Sequence, residues 1–146
     1  RYFNAKLCLD LTAMTSEAVE LGNEEGIVHA RTRAKAMAEA LGFGYMDQTR
    51  IATAVSELAR NAFVFAGGGR VTIRHMVKEG RSGIEIVVQD HGPGIEDLER
   101  ALKGGYSTSG GLGLGLSGSK KLMDEFDIKT KIGEGTTVTI RKWLVR

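Results

Sequence analysis

Three short motifs constrain this chain more than its composition does: Glu57 and Asn61 one helical turn apart, Asp90-His91-Gly92-Pro93-Gly94, and Gly110-Gly111-Leu112-Gly113-Leu114-Gly115. If they act together, the fold must bring a helix flank, a strand end and a glycine-rich helix start to one place. Each has an ordinary alternative on its own, because glycines mark turns and helix carboxylates are usually solvated. Glycine is nevertheless the compositional outlier. There are 20 among 146 residues, about twice the average usage of ~7%, and they cluster between Gly92 and Gly135.

The length fits one domain, residues 1–146, able to bury roughly two thirds of its unfolded surface. No apolar run approaches the ~20 residues of a membrane span, so the chain reads as cytoplasmic, with no membrane partner. Cys8 is the only cysteine, which leaves no internal disulfide or thiolate cluster and suggests a small buried hydrophobe. A net charge of +2 with interspersed signs gives no basic stripe. Nucleic acid is therefore not an expected partner.

Residues 6–11 and 18–21 read as strands. Asn23 suits an N-cap, with Glu24 and Glu25 in the first turn, and Ile27, Ala30, Ala34, Met37, Ala38 and Leu41 follow at helical spacing before Gly42. Asp47 is expected to cap a second helix with the buried stripe Ile51, Val55, Leu58, Ala62 and Phe65, closed by Gly67-Gly68-Gly69. Glu57 and Asn61 each precede a stripe member by one residue, about 100° of rotation, so both lie along one flank at the edge of the buried face. Residues 71–77 and 83–90 alternate with period two and form an expected hairpin that carries Asp90 to its end. A short helix over 95–103, a flexible polar loop over 104–111 and a helix over 112–126 follow. A last hairpin, 129–132 with 136–144, turns at Gly133-Glu134-Gly135. Local strand pairing with few helices predicts an α+β fold: a two-layer sandwich with a mostly antiparallel sheet and helices on one face.

Gly113-x-Gly115-x-x-Gly118 matches the dinucleotide fingerprint in form but lacks the preceding strand. Gly113 to Lys120 fails as a P-loop because the lysine does not directly follow the closing glycine. What remains is a helix start whose free amides and dipole attract phosphate oxygens. Beside it, Asn61 offers a hard neutral oxygen suited to Mg²⁺, and Glu57 could accept a proton from an attacking hydroxyl or water. The Asp90 carboxylate could accept from adenine's exocyclic amine, with little side-chain bulk nearby. His29, His75 and His91 have no metal-ligand spacing and read as structural or surface groups.

In this order the blocks resemble the GHKL (Bergerat-fold) ATPases, from about Ser16 to Leu144. The resemblance implies ATP and Mg²⁺ as ligands. It matches Glu57 to the family's catalytic glutamate, Asn61 to its metal-binding asparagine and Asp90 to its adenine-binding aspartate. Gly92 and Gly94 follow that aspartate, and Gly110, Gly111, Leu112, Gly113, Leu114 and Gly115 form the lid region. Thr136, in Gly133-Glu134-Gly135-Thr136, matches a threonine near adenine. Residues 47–61, 107–113 and 122–126 further resemble the anti-sigma-factor serine kinase group, its stressosome switch kinases in particular. That resemblance implies phosphorylation of STAS-domain scaffold proteins followed by activation of a PP2C-type phosphatase. His91, Phe63 and Phe65 depart from this pattern without removing a catalytic group.

Three other readings remain. A histidine-kinase catalytic domain would need a phospho-acceptor helix, and His29-Ala30-Arg31-Thr32 lacks its usual Glu and Pro. A gyrase-like or MutL-like ATPase would need a transducer domain. A binding module that keeps the nucleotide pocket but works by engaging a partner is the third.

Overall fold

The computed structural model describes residues 16–103 and 112–145. Its elements are β1 (Ser16–Glu20), α1 (Glu24–Leu41), α2 (Tyr45–Ala66), β2 (Arg70–Lys78), β3 (Arg81–Asp90), α3 (Leu98–Leu102), α4 (Leu112–Leu122), β4 (Glu125–Lys131) and β5 (Gly135–Trp143). The strands form one sheet in the order β1-β2-β3-β5-β4, with every neighbouring pair antiparallel. Helices cover one face, as expected for a two-layer α+β sandwich. Residues 6–11, Cys8 and the loop 104–111 lie outside the described residues. No described helix is long and apolar enough to cross a membrane.

The first helix forms where its capping residues predict. Asn23 accepts from the Gly26 amide at 2.9 Å, and Gly42, at φ 102°, turns the chain so that its own amide reaches the carbonyls of Ala38 and Glu39. The second helix starts earlier than expected. Gly44, not Asp47, is its N-cap and makes no side-chain cap bond. Buried Phe43 anchors the connection, while Gln48 closes it through its amide to the Gly44 carbonyl (2.9 Å) and its side chain to the Phe43 carbonyl (2.8 Å). Asp47 thus falls in the first turn, where its negative charge is favoured by the positive end of the helix dipole and pairs with Arg50 at 2.7 Å.

Two further boundaries need correction. The helix expected over 112–126 stops at Leu122, and Glu125 already begins β4, whose Phe126, Ile128 and Thr130 alternate with exposed residues. Long-range partners stop the helix: Lys142 Nζ donates to the Leu122 carbonyl (3.0 Å) and Asp124 accepts from the Trp143 amide (2.8 Å). The short helix expected over 95–103 spans only Leu98–Leu102. Ile95 is drawn away because its amide donates to Thr130 Oγ1 at 2.9 Å.

The core lies between the sheet and the α1–α2 hairpin. Val71, Ile73, Ile84, Ile86 and Ile140 are fully buried beneath Ala30, Ala34, Ile51, Ala54, Val55 and Leu58. The small side chains on both helices allow close approach. The opposite sheet face is polar. There Glu85, only 6% exposed, is held by Arg74 (2.5 Å) and Arg141 (2.8 Å), and Arg141 continues to Glu125 at 3.1 Å. Trp143 lies against Gly83, where a Cβ would collide with the indole. Its Nε1 donates to Glu125 at 2.6 Å, and Arg81 stacks 5.5 Å from the ring centre.

Burial pushes the Glu85 carboxyl up, but the hydrogen bonds and charges of Arg74 and Arg141 outweigh it and hold the group below the usual 4.5. A depressed carboxylate stabilises the fold above its unfolded value and loses that contribution as pH falls through the folded value. Glu85→Gln is therefore expected to lower the urea midpoint at neutral pH, with the gap to wild type narrowing below pH 4.5. A gap independent of pH would show that the charge itself contributes nothing.

Candidate functional site

The register of β3 with β5 builds the site. Asp90 is the last residue of β3 and sits directly across from Thr136, the second of β5. Its Oδ1 accepts from the Thr136 amide at 3.2 Å and from the Gly92 amide at 2.9 Å. Oδ2 accepts no bond among the described residues. One oxygen is thus committed to the fold and the other left available to a donor in the cleft that Asp90 lines.

Backbone is packed tightly around this carboxylate. A Cβ on Gly92 would strike Ala66, and one on Gly135, which sits at φ 128°, would strike the Asp90 carbonyl. Gly94 sits at φ 81°, and a Cβ there would come within 2.6 Å of the Lys131 carbonyl oxygen. These glycines serve close approach as well as turning. Thr130 fastens the rim: its Oγ1 receives the Ile95 amide and bonds Thr136 Oγ1 at 2.9 Å.

The cleft has a volume of about 420 Å³, within the ~300–1,000 Å³ typical of small-molecule sites. Its walls are mostly apolar, with Leu58 and Phe65 from α2, Val88 from β3, Val138 from β5, and Ile95 and Ile132 from the loops. Asn61, Asp90, Glu96 and Thr136 supply polar groups. The structure therefore brings together Asn61, Asp90, Gly94 and Thr136 of the residues singled out in the sequence.

Glu57 is placed differently. It does not line this cleft but a groove on the other side of the same helix flank, between α1 and α2. The turn separating Glu57 from Asn61 is where cleft and groove adjoin. Gly110 and Gly111 lie outside the described residues. Leu112, Gly113, Leu114 and Gly115 form the first turn of α4, and Leu116 in the next turn lines the cleft.

Asn61 Nδ2 is buried without a hydrogen-bond partner among the described residues. An unpaired buried amide is costly, about 1–3 kcal/mol, and its two ends exchange by rotation, so the group is available to a ligand from the cleft. A single neutral oxygen suits a Mg²⁺ ion that keeps its waters and takes substrate phosphates as co-ligands. Asn61 is the side chain that could offer such an oxygen from the wall of the cleft.

Sequence reasoning missed Thr130 and most of the apolar walls. Val88 and Val138 carried a signal, since each lies two residues from a polar site member on the same strand and so on the same face. Ile95 and Ile132 sit in loops, where no periodicity points to them.

Residues 46–146 match the family model of histidine kinase-, DNA gyrase B- and HSP90-like ATPases. The chain belongs to this family. Among curated relatives, it is 48% identical over 126 residues to the serine/threonine-protein kinase RsbT of Bacillus subtilis, covering 86% of this chain and 95% of that one. It is 32% identical over 123 residues to an anti-sigma F factor of Caldanaerobacter subterraneus, covering 80% and 85%. Two solved structures share the fold at a TM-score of 0.53. The mycobacterial sensor histidine kinase MprB is 19% identical, with 87% of this chain and 96% of that one covered. A chain of the SiaB–SiaC complex from Pseudomonas aeruginosa is 11% identical, with 96% and 97% covered. The family's ATPase fold is therefore the one observed.

The two glycines of the last turn separate conformational strain from close contact. Gly133, at φ 80°, has open space around it, whereas Gly135 combines positive φ with the Asp90 carbonyl. Gly133→Ala is expected to cost about 1 kcal/mol in denaturant unfolding. Gly135→Ala should cost clearly more and also weaken ligand binding in the cleft. Equal effects would mean that the contact with Asp90 is not limiting.

Proposed function

We propose that the protein is an ATP-dependent kinase that transfers the γ-phosphoryl group to a serine or threonine hydroxyl of a partner protein. The observation that carries this reading is that one helix, α2, gives Asn61 to an apolar cleft ending in a half-committed aspartate while presenting Glu57 one turn away outside it. The identity with a serine/threonine-protein kinase over most of both chains supports it.

Adenine enters the cleft between Val88, Val138, Ile95 and Leu58, with its exocyclic amine donating to Asp90 Oδ2. The first turn of α4 directs free amides and the positive end of its dipole toward the phosphates. Asn61 would hold Mg²⁺, and the ion would supply neutralisation of the phosphate charge. Glu57 accepts the proton of the acceptor hydroxyl. The hydroxyl oxygen bonds to the γ-phosphorus as its bond to the β–γ bridging oxygen breaks, and ADP departs with that electron pair.

The partners we assign are STAS-domain proteins as substrates and a PP2C-type phosphatase as a later target, acting in the cytoplasm. Relatives named as anti-sigma factors favour a second, compatible reading: partner switching in which binding itself carries the signal.

Transfer of labelled phosphate from ATP to a STAS-domain protein tests the reaction. Glu57→Gln is expected to slow transfer by about 10²–10⁴-fold with little change in nucleotide affinity. Equal transfer by the variant would remove Glu57 as base, and partner binding without any transfer would favour the switching module. Asp90→Asn, in contrast, should weaken ATP binding about tenfold or more by titration calorimetry; unchanged affinity would remove Asp90 from the adenine site.

A further inference from the structure

The groove that Glu57 lines is a built surface in its own right. It runs between α1 and α2 with a volume of about 730 Å³. Arg31 and Lys35 lie one turn apart on α1, and Arg60 lies on α2 beside Glu57. None of the three makes an ion pair among the described residues, and Lys35 only stacks over Tyr45 at 5.2 Å. Because the helical hairpin turns at 42–44, Arg31 falls toward the Glu57 end of the groove, and Glu39 toward the turn. Ser56 Oγ, also in the wall, is buried with no hydrogen-bond partner among the described residues.

Cations left unneutralised along a cleft attract a segment of opposite charge. In-line transfer also requires the acceptor to approach from the side opposite the leaving ADP. With the nucleotide in the apolar cleft, the groove across the α2 flank lies on the far side of Glu57. We infer that the α1–α2 groove receives the acceptor, and that this acceptor is an acidic segment whose carboxylates pair with Arg31, Lys35 and Arg60 while its hydroxyl lies at Glu57. The acceptor role rests on the kinase reading; the charge preference of the groove does not.

Two fluorescein-labelled peptides test it, each with one serine, flanked by glutamates in one and by lysines in the other. They are titrated into the full chain loaded with a non-hydrolysable ATP analogue, followed by anisotropy and by amide NMR shifts. The glutamate peptide should bind at least tenfold more tightly at low salt, with shifts centred on Arg31, Lys35, Ser56 and Arg60. Arg31→Glu combined with Lys35→Glu should invert the preference, an outcome that a misfolded variant cannot produce. Equal binding of the two peptides, binding of neither, or a preference that survives the double reversal would overturn the assignment. A parallel assay with labelled ATP separates the two claims. Selective binding of the glutamate peptide without transfer would uphold the acidic groove and count against the kinase reading. Transfer to both peptides alike would uphold the kinase and sink the groove.

Discussion

The antiparallel register between β3 and β5 is the constraint on which the site depends. It sets Asp90 against Thr136, so that a strand-end carboxylate is held by a backbone amide of its neighbour rather than by a flexible side chain. Backbone donors do not sample rotamers, so the free oxygen of Asp90 is directed by the sheet itself. The register in turn rests on the buried pairs Ile86 with Ile140 and Val88 with Val138, which face the helices. A slip of one residue would turn these side chains outward and move Asp90 off its amide. Core packing and ligand geometry are thus specified by the same pairing.

Much of the architecture was legible because local signals agreed with the tertiary outcome. Asn23 and Gly42 bound α1 as capping chemistry predicts, and period-two alternation located the central hairpin. The misplaced boundaries share a cause. Asp47 is a good capping residue, but the packing of Phe43 and the bonds of Gln48 start the helix before it. Phe126 fits a helical stripe with Leu122 and Met123, but Lys142 and Asp124, joining segments some twenty residues apart, end the helix first. Local propensity could not foresee partners so distant in sequence.

The candidate site was legible in its polar members and not in its walls. Asn61, Asp90, Gly94 and Thr136 were identifiable because each is a residue type with a limited set of roles in its motif. Ile95 and Ile132 are ordinary aliphatic residues in loops, and only the fold reveals what they enclose. The position of Glu57 was half visible. Helical spacing correctly put it on the same flank as Asn61, but that flank is a boundary between two concavities, and sequence could not say which side each residue faces.

Trp143 has a spectroscopic consequence. It is the chain's single tryptophan, seated on the polar sheet face with its indole shielded by Gly83, Arg81 and Glu125. The cleft lies on the helical side, near the opposite end of β5. Intrinsic emission therefore reports on the integrity of the sheet while remaining nearly blind to what occupies the cleft, so the molecule carries a built-in optical monitor of folding separate from its ligand chemistry.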